Sequence, residues 1–383
     1  ITNGTQVTQD MALKDGKLYV VHRTANSDNK ILIVDAYSGQ KLSELNTEAC
    51  NSGIYYLSAI EVLGDKGIAC NLQTSISSPL IIYMWDDDQS EPVKLLETTE
   101  RPEDAARIGD ALSVSGDIAN GKIWFSYGSN VFYYAVTNGV CATTPVVIPL
   151  TKDGASHNVA NGVSSSNVTV EDDGSFWVSS KDNYAVHYNA DGSYIEALSD
   201  SQLTNVAGTD TKLFTLGAKK YIAATNYLNQ TNTSLSEGAL RLLDATEGNT
   251  SATIVGTYPS AGLGTTRNTS YRNTICGEVT NTNFNLWVLV PLQGAAHYTF
   301  QHSTPTGVDQ VASDYDVLVS VIDRYIKIAG VEAVAIDLYS LMGIHLLNSQ
   351  QTNEVDASNL CRGAYIVAIT DSKGNVSTHK IIL

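Results

Sequence analysis

Two strand-like runs joined by a tight turn occur six times in this chain, and no other feature constrains the fold as much. The pairs are Met11–Val21, Ser58–Leu72, Ala111–Ser126, Asn167–Ser179, Lys212–Thr225 and Asn273–Val290. Their turns carry Gly, Asn or Asp, as in Lys14-Asp15-Gly16 and Asp172-Asp173-Gly174. Those residues supply the positive φ that tight hairpins require. The turns recur at intervals of about 50 residues. A third strand-like run follows each pair: Lys30–Asp35, Leu80–Asp86, Val131–Val136, Tyr184–Asn189, Ala239–Asp244 and Ala296–Gln301. A fourth follows in the first five units: Lys41–Leu45, Val93–Glu97, Val146–Leu150, Tyr194–Leu198 and Thr253–Tyr258. Four antiparallel strands per unit of this length is the pattern of a propeller blade. The chain is therefore expected to be all-β, with a six-bladed β-propeller over residues 1–305. The sixth unit lacks a fourth strand, and Asn3–Thr8 is a spare one. We expect Asn3–Thr8 to complete the last blade and close the ring, since an open ring leaves unpaired edges.

Residues 306–383 read differently. Short runs at Asp316–Val321, Tyr325–Ile328, Val331–Tyr339, Ile344–Asn348, Asn353–Asp356, Ala364–Thr370 and Ser377–Leu383 fit an immunoglobulin-like sandwich. In this region Ile336–Gly343, Val355–Leu360, Gly363–Val367, Asp371–Gly374 and Lys380–Leu383 follow one another in a set order. That order resembles the type IX secretion C-terminal sorting domain of Bacteroidetes. The resemblance implies export, to the outer-membrane surface, the medium or the periplasm. The first 300 residues resemble a family of secreted Bacteroidetes propellers, through Tyr83-Met84-Trp85 with Pro92 and Leu95, and through Arg107–Asp110 with Ser113–Asp117. That family brings no activity with it.

Composition agrees with many short strands: 43% of residues are apolar, only 16% are charged, and 20 Tyr and 29 Gly stand against 8 Pro. The net charge of −17 opposes nucleic acid and anionic lipid as partners. No apolar run approaches the ~18 residues needed to span a membrane. The first residue is Ile1, which is expected if a signal peptide or lipoprotein leader has been cleaved. Five Cys form no C-x-x-C pair, so zinc is not expected. Cys70, Cys276 and Cys361 sit in apolar runs and are expected to be buried thiols. Cys50 and Cys70 are expected to stay unpaired.

No P-loop, dinucleotide motif, Gly-x-Ser-x-Gly or H-E-x-x-H is present. Asp86-Asp87-Asp88 offers three carboxylates, yet lacks the ligand spacing of a Ca²⁺ loop and is expected to be a solvated turn. Geometry is the better guide to a site. In a propeller the first strand of each blade lines the channel, and the segments entering it share one face. The candidate ligand-binding residues are therefore Asp10, Tyr56, Arg107, Asp110, Asn167, Asp210, Tyr227, Tyr271 and Arg272. Tyr, Asn and Arg suit a glycan or a protein ligand, since rings stack and amides both donate and accept. For Arg107 and Asp110 a structural ion pair is the favoured reading. Two functions follow. The first is a non-catalytic binding or adhesion protein at the cell surface. The alternative is a propeller hydrolase or lyase acting on polysaccharide or lactone, with Asp10, Asp110 and Asp210 as acid–base groups or as ligands to a channel Ca²⁺.

Overall fold

The computed structural model describes residues 8–24, 28–50, 55–159, 166–180, 183–203, 206–207, 210–228, 239–260, 273–280, 283–291, 294–301, 317–322, 324–341 and 343–383. The chain divides into two compact units, Ile1–His302 and Ser303–Leu383.

Among the described residues the first unit contains six antiparallel sheets of three or more strands, in chain order. Sheet 1 has strands Thr8–Lys14, Lys17–Thr24, Asp28–Asp35 and Lys41–Glu44. Sheet 2 has Ala59–Leu63, Lys66–Cys70, Leu80–Trp85 and Val93–Thr98. Sheet 3 begins with Ser113–Gly116, Asn120–Tyr127 and Asn130–Thr137, and both Val140–Cys141 and Val146–Pro149 pair with its third strand. Sheet 4 has Ser166–Val170, Phe176–Ser180, Asn183–Tyr188 and Tyr194–Ala197. Sheet 5 has Thr211–Leu216, Lys219–Leu228, Ala239–Asp244 and Thr253–Tyr258, with Val206–Ala207 added against the second of these. Sheet 6 has Thr274–Val279, Asn283–Val290 and Gly294–Gln301. These strands fall on the runs expected from the repeat. The small hairpin Thr151–Lys152/Ala155–Ser156 and the helix Asp200–Leu203 were not expected, because they lie in connections between sheets. Residues 3–7 of the expected closing strand lie outside the described residues. Thr8, assigned to that strand from sequence, instead begins the first strand of sheet 1 and faces His22.

Side chains alternate between the two faces of a strand, so a strand buried on both sides reads as an apolar run. Phe176–Ser180 is buried throughout and Asn283–Val290 nearly so. Each sheet packs one face on the sheet before and the other on the sheet after. One apolar cluster fills each junction, from sheets 1 and 2 through to sheets 5 and 6. A last cluster joins sheet 6 to sheet 1, through Trp287 and Leu289 against Met11, Leu18 and Val20. The Trp287 indole N–H also donates to the Ala36 carbonyl at 2.7 Å, and Tyr37 meets the Trp287 ring edge-on. The first strands follow the same cyclic order, each lying against the next and that of sheet 6 against that of sheet 1.

In the second unit, Leu318–Ile322, Tyr325–Ala329 and Glu354–Asp356 form one sheet. Ala333–Ser340, His345–Gln350, Ala364–Asp371 and Val376–Ile382 form another. One core of Ile326, Ile328, Val355, Ile336, Leu338, Val367 and Ile369 lies between them. The five cysteines are free thiols. Cys50, Cys70 and Cys141 are buried and Cys276 is partly buried. Cys361 corrects the sequence expectation: it is exposed, because it lies in the turn before Ala364 and not in the strand.

Candidate functional site

Five of the six first strands carry a polar residue at or just before their start, and these side chains bond from sheet to sheet. The Ser113 hydroxyl donates to the Asn167 side-chain Oδ1 and accepts the Val168 N–H at 3.3 Å. Asn167 Nδ2 donates to Asp210 Oδ1 at 2.7 Å. Asp210 Oδ2 accepts the Ile275 N–H at 2.7 Å. Thr274 donates to Asp10 Oδ1 at 2.7 Å, and Asp10 Oδ2 accepts the Ile60 N–H at 3.0 Å. This belt runs from sheet 3 through sheets 4, 5, 6 and 1 to sheet 2. Ala59 stands where it would continue. There, the Gln73 and Ile108 backbones exchange two hydrogen bonds of 2.9 Å and close the junction of sheets 2 and 3. Gly109 lets the chains approach: its φ is +92°, and a Cβ would sit 2.0 Å from the Asn71 carbonyl oxygen.

Three sequence candidates, Asp10, Asn167 and Asp210, are thus belt residues, exposed by only 5%, 8% and 1%. Burial pushes the Asp210 carboxyl up to about 7, although Lys212 and the Ile275 N–H pull it down. Arg107 and Asp110 pair with each other, Nη2 to Oδ1 at 2.8 Å, beside the backbone bridge at Ile108. Burial opposes the Arg107 charge, but Asp110 outweighs it and holds the guanidinium above its ordinary range. The Tyr56 hydroxyl accepts the Asn29 N–H at 3.3 Å, tying the segment entering sheet 2 to sheet 1. Tyr227 was expected in a loop. It lies in the strand Lys219–Leu228, opposite Ala207, because the added pair Val206–Ala207 extends the ladder there. Tyr271 and Arg272 lie outside the described residues.

A cavity of about 390 Å³ lies on the axis of the six first strands. Leu13, Glu61, Val62, Thr169, Val170, Lys212, Leu213, Phe214, Thr215, Cys276 and Gly277 line it from the first strands of sheets 1, 2, 4, 5 and 6, and Glu171, Asp172 and Lys220 from the turns and strand beyond. These are later positions in the strands than the candidates taken from sequence. The cavity therefore sits toward the end of the axis opposite the entry segments. Across it, Lys212 Nζ of sheet 5 meets Glu61 Oε1 of sheet 2 at 3.3 Å. Those sheets are three steps apart in a cycle of six, so the ion pair crosses the axis. Burial raises the Glu61 carboxyl, and Asp10 adds to this while Lys212 opposes it. Burial disfavours the Lys212 ammonium, but Glu61 and Asp210 overcome that and hold it above the usual lysine range. Burial also raises the Cys276 thiol well above its normal value, so it is not a ready nucleophile. At the rim, Lys220 Nζ meets Glu171 Oε2 at 3.3 Å. Glu171 Oε1 accepts the Trp177 indole N–H at 2.9 Å and lies 3.2 Å from His187 Nε2, with that imidazole stacked on Trp177.

Sequence reasoning missed Glu61 and Lys212. A signal was present: each is a lone charge inside an otherwise uncharged first strand, Ala59–Leu63 or Thr211–Leu216. The acidic run at residues 86–88 disperses. Asp88 binds Lys17 and Tyr19, Asp87 accepts from Gln89 and Ser90, and Asp86 lies 3.5 Å from Lys66. Among the described residues no three His, Cys, Asp or Glu side chains come together as a metal centre.

The strand order of the second unit follows the motifs read from sequence. Residues 322–383 match the secretion system C-terminal sorting domain. The resemblance read from Ile336–Gly343 and the motifs after it is borne out. No helix among the described residues is long and apolar enough to cross a membrane. No curated protein matches the chain. Among solved structures, a DUF4623 family protein from Bacteroides eggerthii aligns at 16% identity with a TM-score of 0.63, over 78% of this chain and 72% of that one. At that identity the likeness shows the fold alone. YCF48 bound to D1 peptide aligns at 14% identity and a TM-score of 0.44, over 78% of each chain. A GH43_1 enzyme from Xanthomonas citri complexed with xylotriose aligns at 12% and 0.38, over 58% of this chain and 82% of that one.

Proposed function

We propose that this chain is an exported binding protein that captures a glycan or a protein at its central channel, at the cell surface or in the periplasm. In this reading the first unit is a six-bladed β-propeller closed by its amino-terminal segment, and the sorting domain is an immunoglobulin-like sandwich. The observation that carries it is the axial cavity, a concave chamber built on rigid strands and lined by charged and apolar groups. The six junction clusters in cyclic order support the blade count. The sorting domain supports export. Arrays of glycans and of surface proteins, probed with the intact chain, test the reading. A specific ligand is expected, and its capture should weaken when Lys212 is replaced by Met. A chain that binds nothing on either array overturns the proposal.

A second reading, a hydrolase or lyase, draws on Glu61, a carboxyl raised by burial beside a lysine inside the cavity. A Ca²⁺ in the channel belongs to this reading. Release of reducing ends or unsaturated sugars from a polysaccharide panel, with and without Ca²⁺, tests it. No turnover under either condition rejects it.

A further inference from the structure

The two ion pairs of the axial cavity have the same form. Lys212 with Glu61, and Lys220 with Glu171, each set an ammonium donor 3.3 Å from a carboxylate acceptor. They come from different sheets and face one chamber of about 390 Å³.

We propose that this chamber binds a neutral polyhydroxylated ligand, a sugar ring of one or two units, through these two lysine–carboxylate couples. The inference rests on the binding-protein reading above and names its ligand class. Each couple suits a pair of neighbouring hydroxyls. One hydroxyl donates to the carboxylate while the other accepts from the ammonium, each at about 2.8 Å. Both bonds are charge-assisted, and so stronger than those between neutral groups. Each couple is itself neutral, so a charged ligand must break a couple to gain a counter-ion, whereas a polyol need not. The carboxylates are already held, Glu171 by the Trp177 indole N–H and Glu61 by Lys212, which lowers the ordering cost of binding. Leu13 and Phe214 give the wall an apolar part for the C–H face of a ring. The chamber volume lies in the range of small-ligand sites, about 300–1,000 Å³.

Isothermal titration calorimetry of the intact chain at fixed pH, with methyl β-glucopyranoside, methyl β-galactopyranoside or xylobiose, provides the readout. At least one of these is expected to give a saturable binding heat. In Lys220→Met and Glu171→Gln its Kd should rise at least tenfold, with the melting temperature held. The 2-deoxy form of the active glycoside should bind poorly. No saturable heat with any saccharide, an unchanged Kd in the two variants, or equal binding of acetate or methylamine overturns the proposal. If an array ligand binds while none of the three saccharides does, the ligand assignment fails and the binding-protein reading stands. If neither responds, both fail.

Discussion

Replacing Lys212 by Met should cost the first unit about 2 kcal/mol, and replacing Glu61 as well should add nothing further. Breaking a sealed ion pair by removing one partner costs ~3–5 kcal/mol, because a charge is left without compensation. A pair on the open surface is worth ~0–1 kcal/mol. Lys212 and Glu61 lie between these limits, since their side chains keep 23% and 20% of their surface exposed. In Lys212→Met the Glu61 carboxylate faces Asp10 with no cation beside it. In Glu61→Gln the lysine keeps Asp210 as a neighbour, so about 1 kcal/mol is expected. The double variant leaves neither charge and should sit near 2 kcal/mol, a coupling of about 1 kcal/mol. Urea unfolding of the intact chain at pH 7 measures all four corners of the cycle, with the two units resolved calorimetrically. Single effects that add to within about 0.5 kcal/mol would mean the side chains do not interact across the axis.

Three more outcomes follow from the belt. Asp210 has a carboxyl raised from 3.8 to about 7, so between those values the folded chain binds the proton and the unfolded chain does not. Its contribution is therefore complete below about pH 4 and is lost as pH rises toward 7, at no more than ~1.4 kcal/mol per unit. Urea midpoints of wild type against Asp210→Asn from pH 4 to pH 8 should converge with the falling slope absent from the variant; parallel curves would refute it. Asn167→Ala removes bonds to Ser113, Val168 and Asp210 and should cost about 2–3 kcal/mol, read from the same unfolding midpoint. Gly109→Ala should be costlier than a typical surface change, since its Cβ meets the Asn71 carbonyl oxygen and its φ is positive. A soluble Gly109→Ala chain with an unchanged melting temperature would contradict that.

The strands were readable because their turns are local. Asp15-Gly16 and Asp173-Gly174 announce a reversal within a few residues, and the apolar runs beside them set the strand lengths. The site was readable only in part. Asp10, Asn167 and Asp210 were found, since polar residues at the start of apolar strands stand out. Their role was not, because a sequence does not say whether such a side chain points along the channel or toward the next sheet. Lys212 and Glu61 are 151 positions apart, and only the packing of sheets distant in sequence makes them neighbours. Cys361 misled because an apolar neighbourhood in sequence became a turn in space.

Ala59 makes one of the six junctions unlike the rest. The belt crosses five of them through side chains, which mutation can rewrite one residue at a time. At the sixth it gives way to main-chain bonds at Gln73 and Ile108, where most replacements leave the donor and acceptor in place. A proline, an inserted residue or a Cβ at Gly109 reaches those bonds. Drift in sequence should thus spare that seam, while a single-residue insertion between Leu72 and Gln73 should part the circle there before anywhere else.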